Sequence, residues 1–561
     1  MAHYKVKTQF KEELEPEEIL LDSEEKKKKD KGRLEVPIQN SVFSLIFLLL
    51  LFLLFVLFAR SFYLMAAEGD KYTQMAINNY LWVFKTDAPR GKIYSSDGIL
   101  LADNVEKEVT KTDVLGNEIL TKEYTRAYID GPVFAHILGY VNFVSPDDLE
   151  ADSYYQRNDR IGRNGIESEY EKELRGTKGR IEKTKNAQGK FIEGSEKIIN
   201  EPIQGNSLVL NINAGLQKKL YETIKEKVPD KNASAIALDP QTGKVLALVS
   251  IPSYDNNSIS PTQGSFFNRA IKGKYPSGSI IKPLIAAAGL EEGVITPQTK
   301  INCQGKILIP GTSVFKKDWK THGITDLNKA LAESCNIYFF SVGGGGYGDI
   351  QGLGIQKIKK YLDLFYLEEK LGIDLPGEEV GFVPTEEWFD ENRAENEKRS
   401  WSIDDVYNVS IGQGFFETTP LHIAVALSTI ANGGKIYQPQ IVDKITTPDE
   451  KEIIEDIQPK VLNENFISSE NITAVKEGMR QCVVSPTGSC RQLLSLPVTS
   501  AGKTGTAETP GNQEPHSWFV SFAPYENPEI FLLVMVENGG GGEKVAEPIA
   551  KEVLKWYFSQ K

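Results

Sequence analysis

Tyr275-Pro276-Ser277-Gly278-Ser279-Ile280-Ile281-Lys282-Pro283 is the stretch on which the reading of this chain turns. Pro276 and Gly278 predict a turn, and the apolar run Ile280, Ile281, Leu284, Ile285, Ala286 to Ala288 predicts a buried helix behind it. Pro283 suits the first helical turn, where a missing N–H does little harm. Ser279 is therefore expected at a helix N-terminus, with Lys282 one turn on and on the same face. A hydroxyl there meets the positive end of the helix dipole, and a lysine among apolar neighbours loses charge stabilisation, so its pKa falls. That makes a nucleophile and a base. A Ser-x-x-Lys tetrapeptide is also common on ordinary surface helices, so its meaning depends on its company.

Company comes twice. Ser334-Cys335-Asn336 is a polar triplet between apolar helical stretches, and Lys503-Thr504-Gly505-Thr506 ends the strand-like Val498 to Gly502. The small residues of that strand leave room for an extended peptide to add itself to the edge, with Lys503 taking its carboxylate. A hairpin is predicted from Ser234 to Leu238, through Asp239-Pro240-Gln241-Thr242-Gly243, to Lys244 to Ile251. Trp518 to Phe522 and Ile530 to Val536 are further strand candidates, and the last helix carries Ile549, Val553, Trp556 and Tyr557 on one face. Strands at both ends of this span with helical sequence between them predict an α/β layered fold whose sheet is built from the ends of the domain. Two tetraglycine runs, Gly343 to Gly346 and Gly539 to Gly542, are read as flexible loops, since no P-loop context surrounds them.

The 561 residues leave room for about three to five folding units. Sixty-four Lys and Arg against 77 Asp and Glu give a net charge of −13, which argues against a nucleic-acid binder held by phosphate contacts. One segment departs from the polar average: Val42 to Ala59 is uncharged and apolar, about long enough to cross a ~30 Å hydrocarbon core. The Lys-rich stretch Glu24 to Arg33 ahead of it places the N-terminus in the cytoplasm by the positive-inside rule. The run is too long, and begins too late, for a cleaved signal peptide. The expected division is a cytoplasmic tail over 1–41, a transmembrane helix over 42–60, a non-catalytic α+β pedestal over 61–230 and a catalytic domain over 231–561. Within the pedestal, Arg90 to Tyr94, a turn at Asp97-Gly98 and Ile99-Leu100 predict a hairpin. Gly165-Ile166-Glu167 then opens a charged helix ending near Arg175-Gly176.

The S-x-x-K, S-x-N and K-T-G segments, in this order and wide spacing, match the set found in β-lactamases and penicillin-binding proteins. The chain resembles the class B penicillin-binding proteins over nearly everything after residue 40. Ala88-Pro89-Arg90-Gly91-Lys92-Ile93, Leu174-Arg175-Gly176, Ser410-Ile411-Gly412-Gln413-Gly414 and Thr419-Pro420-Leu421 support the likeness. Gly372-Ile373-Asp374-Leu375-Pro376-Gly377-Glu378 and Ala546-Glu547-Pro548-Ile549-Ala550 look like the elongation type, penicillin-binding protein 2, with the division type the nearest alternative. Only about Asn104 to Gly131 stands where the family usually has a larger head.

The resemblance implies a transpeptidase-like domain with a mainly antiparallel sheet packed by helices, and a peptidoglycan D,D-transpeptidase acting on stem peptides ending in D-Ala-D-Ala. Ser279 would attack, Lys282 take its proton, Ser334 relay it to the leaving amine, and Asn336 orient Lys282. Lys503, Thr504, Gly505 and Thr506 would bind substrate, with the amides of Ser279 and Thr506 as oxyanion hole. Implied partners are lipid II-derived glycan, the membrane, a SEDS-type glycan polymerase, elongation-complex scaffold proteins, and β-lactams as inhibitors. A carboxypeptidase side activity is also implied. A β-lactam sensor, or a scaffold without cross-linking activity, are the competing functions. A Ser-His-Asp triad is disfavoured, because no Gly-x-Ser-x-Gly elbow accompanies His136, His322, His422 or His516, and His3 lies in the tail.

All four cysteines are expected outside the cytoplasm. Cys482 and Cys490 could form a disulfide or remain two thiols. Cys303, Asp318, His322 and Cys335 form a separate group of soft and carboxylate ligands suited to tetrahedral Zn²⁺, and the resemblance to elongation-type proteins implies a structural zinc there. A buried thiol beside an exposed loop is the alternative. No cofactor is required for the reaction itself.

Overall fold

The structure is a computed structural model that describes residues 39–112, 116–260, 264–392, 399–511 and 513–560. Most of the expected tail, His3 included, lies outside the described residues. The chain divides into two bodies, Met1–Trp82 and Val83–Lys561. In the first, the apolar run is a helix, Asn40–Ala66, with no buried residue, followed by Gly69–Tyr80. At 1.5 Å per residue its 27 residues reach about 40 Å. Among the described residues it is the one helix long and apolar enough to cross a membrane.

In the second body a five-stranded antiparallel sheet carries the site. Its order is Val245–Ile251, Ala233–Leu238, Ile530–Val536, His516–Ala523, Ala501–Ala507. The unbroken apolar run of Ile530–Val536 follows from burial on both faces. Ile530, Leu532, Val534 and Val536 meet the helices Ala214–Lys227 and Ala546–Ser559, while Phe531, Leu533 and Met535 face the layer holding Lys282–Glu291 and Pro420–Asn432. The two-residue repeat of the strand thus sorts one sequence into two cores. Ile549 and Val553 are fully buried, with Trp556 and Tyr557 packed at the rim of the same layer.

The first tetraglycine run is not the flexible loop its composition predicts. Gly343 and Gly344 end the helix Asn336–Gly344, which packs against Ile403–Ser410. A Cβ on Gly343 would stand 1.7 Å from Ser410 Oγ, and one on Gly344 2.6 Å from the Tyr407 ring. These glycines are a close helix crossing, not a hinge. In the second run Gly542 is likewise buried, its Cβ position 2.3 Å from the Trp518 carbonyl oxygen.

Toward the N-terminal side lies a six-stranded sheet, ordered Ile453–Asp456, Val442–Thr446, Ser207–Leu210, Ile93–Tyr94, Leu100–Thr112, Glu118–Tyr128. Its first two strands come from the C-terminal half, so the chain sews its two halves together. The stretch in place of a larger head is a long hairpin, Ala102 pairing with Tyr128 and Thr112 with Glu118. Glu167 is fully buried between Arg90, at 2.7 Å, and Arg126, at 2.5 Å, while Glu171 also holds Arg90. The Ala88-to-Ile93 and Gly165-Ile166-Glu167 segments are therefore two sides of one buried ion-pair network.

Candidate active site

Ser279 sits in a 3-10 turn, Gly278–Ile281, that runs straight into the helix Lys282–Glu291. Its neighbours Gly278, Ile280 and Ile281 are buried, whereas Ser279 lines an open cleft of about 450 Å³. The turn is held from below: Gly278 N–H donates to Gly412 O at 2.9 Å, which places Ser410-Ile411-Gly412-Gln413-Gly414 under Ser279.

Lys282 is fully buried. Its Nζ donates to Asn336 Oδ1 at 2.6 Å, Ser334 O at 2.8 Å and Ser334 Oγ at 3.2 Å. Burial pushes its pKa down to about 8, against the opposing pull of Asp318 and the two thiols. Lys503, also fully buried, donates from Nζ to Ser334 Oγ at 2.8 Å and to Thr504 O at 3.0 Å. Burial, and then the charge of Lys282, lower its pKa well below that of an ordinary lysine. Two lysine amines therefore converge on one hydroxyl. Ser334 reaches this point through a left-handed backbone, φ 58° and ψ 41°, which ends the helix Leu327–Glu333 and turns the chain into Asn336–Gly344. Only a few per cent of non-glycine residues adopt it, and such strain concentrates at functional sites.

Thr504 and Thr506 line the cleft with Ser279, Ser334 and Asn336, while Lys503 and Gly505 lie behind them. Residues that the sequence reading passed over also line it: Lys316, Trp319, Asn408, Gln413 and Ser489. Lys316 Nζ donates to Asn408 Oδ1 at 2.7 Å and pairs with Asp404 at 2.6 Å. No local motif marks these residues. Gln413 is the exception, because it belongs to the Ser410-Ile411-Gly412-Gln413-Gly414 segment. The other histidines serve the fold: His422 contacts Thr419 and the Glu369 carbonyl, and His136 the Pro252 carbonyl.

Cys303, Asp318, His322 and Cys335 come together, with one donor atom of each within 4.8 Å of the others. Asp318 Oδ2 is 3.5 Å from Cys303 Sγ and 3.6 Å from His322 Nε2. His322 Nε2 is buried with no hydrogen-bond partner, an atom that a metal ion would satisfy. His322 Nδ1 meets Glu333 Oε2 at 2.8 Å, the outer carboxylate that usually orients a ligating histidine. Asp318 Oδ2 also accepts the N–H groups of Asn336 and Ile337, at 2.8 and 3.1 Å, so the cluster holds the start of the helix that carries Asn336. Cys482 and Cys490 form a disulfide, which decides between the two readings left open above.

The comparisons with known proteins agree with this geometry. Residues 233–555 match the penicillin binding protein transpeptidase domain, and residues 106–210 the penicillin-binding protein dimerisation domain. Peptidoglycan D,D-transpeptidase MrdA of Haemophilus influenzae is 32% identical over 88% of this chain and 78% of its own length. Among solved structures, Pseudomonas aeruginosa PBP2 in complex with WCK 5153 superposes with a TM-score of 0.68 at 29% identity, covering 85% of this chain and 96% of that one. A chain of a peptidoglycan synthase complex described as coordinating polymerization and crosslinking gives 0.69 at 27% identity, covering 93% and 98%. With both domain models matched in order and the Ser279, Ser334 and Lys503 segments meeting in one cleft, the chain belongs to the penicillin-binding protein transpeptidase family.

Proposed function

We propose that this protein cross-links peptidoglycan during cell-wall elongation, as a D,D-transpeptidase working through a serine acyl-enzyme at Ser279. The observation that carries the reading is the fully buried Lys282, held by Asn336 and Ser334 one turn from a cleft-lining serine. A lysine with its pKa near 8 has an appreciable neutral fraction at neutral pH and accepts the Ser279 proton as the hydroxyl attacks the penultimate D-Ala carbonyl. The amides of Ser279 and Thr506 receive the developing oxyanion, worth on the order of 3 kcal/mol per donor. Ser334, between the two lysines, passes the proton on to the leaving D-Ala amine. Thr504 and Thr506 contact the terminal carboxylate from the cleft wall, with Lys503 behind them donating to Ser334 Oγ and Thr504 O. An amine from a second stem peptide then resolves the ester, and water in its place gives carboxypeptidase activity.

The four-residue cluster suits Zn²⁺, which takes Cys, His and carboxylate ligands at about 2.0–2.3 Å. When bound, zinc would tie Cys303, Asp318, His322 and Cys335 together as a structural ion. Through Asp318 these residues hold the N-terminus of the helix bearing Asn336. Zinc analysis of protein prepared without chelator tests this, with about one ion per chain expected and none in Cys303→Ser/His322→Ala.

The division 1–41, 42–60, 61–230 and 231–561 fits a protein with its N-terminus in the cytoplasm, one membrane helix and a catalytic domain outside. The likeness to a chain of a polymerizing and crosslinking complex supports a glycan polymerase as partner, and the resemblance to elongation-type proteins adds that it is of the SEDS type, with elongation scaffold proteins beside it. A fluorescent penicillin should label the wild type and fail to label Ser279→Ala. Labelling that survives this substitution refutes the nucleophile. Cross-linked product from lipid II in the presence of a glycan polymerase, absent with Ser279→Ala, tests the reaction itself.

A further inference from the structure

The segment Ser485–Cys490 is tied to both halves of the cleft. Ser489 N–H donates to Ala332 O at 3.0 Å, two residues before Ser334. The Thr487 hydroxyl donates to Glu333 Oε1 at 2.7 Å. On the other side Ser489 Oγ lies 2.8 Å from Thr504 Oγ1, in the strand that carries Lys503. The loop is pinned at its base by the Cys482–Cys490 disulfide, fully buried, and by Cys490 N–H on Cys482 O at 2.9 Å. A Cβ on Gly488 would stand 2.2 Å from the Cys482 carbonyl oxygen, so the closure requires glycine.

Ser489 Oγ is 3.2 Å from Cys482 Sγ as well as 2.8 Å from Thr504 Oγ1. Neither sulfur of a disulfide carries a proton, and sulfur is a weak acceptor beside a hydroxyl oxygen. Of the two directions open to the 2.8 Å contact, the one in which Ser489 donates to Thr504 places its proton on an oxygen and not against the weakly accepting sulfur, and it is the direction the inference takes. Thr504, accepting there, keeps its own proton free to donate into the cleft it lines. With a reduced Cys482, an S–H donor competes for Ser489 and this polarity is no longer imposed.

We propose that Ser489 is a substrate-positioning residue, fixed by the disulfide-closed loop so that it turns the Thr504 hydroxyl toward the carboxylate of the incoming stem peptide or β-lactam. The inference rests on the transpeptidase reading above. It assigns Ser489 to binding and not to the chemical step.

The test uses the full chain and stopped-flow acylation by a fluorescent penicillin, separating the dissociation constant of the initial complex from the acylation rate constant. Ser489→Ala should raise the dissociation constant about tenfold, as expected for one lost hydrogen bond to a charged group, with the rate constant within about twofold of wild type. Ser489→Thr should restore binding. Ser489→Ala/Thr504→Val should bind no worse than Thr504→Val alone, because the two act as one unit. Cys482→Ala/Cys490→Ala should show the same weakened binding with an unchanged rate constant.

A fall in the acylation rate constant at unchanged binding, fully multiplicative losses in the double variant, or wild-type binding in the cysteine-free variant each overturns the inference. Melting curves on every variant, with Ser489→Thr as the folded reference, separate positioning from unfolding. Labelling of Ser279→Ala would refute the nucleophile itself. Its absence, together with wild-type binding by Ser489→Ala, would refute only the role of Ser489.

Discussion

The rate of acylation should rise about tenfold between pH 7 and pH 9 and then level off, because its base is a lysine whose pKa burial has lowered to about 8. Only the neutral amine can accept the Ser279 proton, so the rate follows the neutral fraction and increases with pH. At a pKa of 8 that fraction is about 9% at pH 7, 50% at pH 8 and 90% at pH 9. A solvent-exposed lysine near 10.4 would be neutral to about 0.04% and 4% at pH 7 and 9, giving a rise of about a hundredfold with no plateau. The slope and the plateau thus report whether the buried setting of Lys282, between Ser334 and Asn336, governs the chemistry. The assay is the second-order rate constant for a fluorescent penicillin from pH 6 to 10, with the melting temperature followed alongside. Lys282→Arg keeps the charge but cannot deprotonate in this range, and should lose at least about a hundredfold, the lower end of what a positioned base contributes. A flat profile, or near-normal acylation by Lys282→Arg, would show that another group is the base.

Three other predictions follow from parts of the fold that support the site. Gly343→Ala puts a methyl group 1.7 Å from Ser410 Oγ, and should lower stability by about 1–3 kcal/mol in urea unfolding. Glu547 is buried and its pKa raised to about 8, while an unfolded glutamate titrates near 4.5, so the folded state holds the extra proton between these values. Stability should therefore fall as pH rises through that window, and Glu547→Gln should flatten the slope by up to about 1.4 kcal/mol per pH unit. Glu167→Gln leaves the buried Arg126 without its carboxylate and Arg90 with Glu171 alone, and should lower stability by about 3–5 kcal/mol in urea unfolding. An unchanged midpoint would mean that Glu171 and local water suffice.

Much of the candidate site could be read along the chain because its parts are short and chemically distinctive. The turn at Gly278 and the proline tolerated at the start of a helix each constrain local backbone within a few residues, whereas the strand expected over Val498 to Gly502 is Ala501–Ala507, with Lys503, Thr504, Gly505 and Thr506 inside it, because its bounds are set by pairing with His516–Ala523. The strands at Ala233–Leu238, His516–Ala523 and Ile530–Val536 carried their own period or apolar continuity. Composition misled at Gly343 and Gly344, where the reason for glycine is a helix from residues 403–410 pressing close, a contact no local window contains. Lys316 and Ser489 were invisible for the same reason, since a lysine or serine gains meaning only from the wall it faces.

The sequence by itself determined the three segments that carry the reactive groups, the apolar anchor and the class of fold, since each depends on bonds and periodicities within a few turns of chain. Only the tertiary structure decided what those groups do to one another. It buried Lys282 and Lys503 around one hydroxyl, bent Ser334 into a left-handed turn, gathered Cys303, Asp318, His322 and Cys335 into one cluster, and paired Cys482 with Cys490 beside Thr504. Desolvation and close approach between distant residues are properties of packing, and they shift the pKa values of the buried lysines.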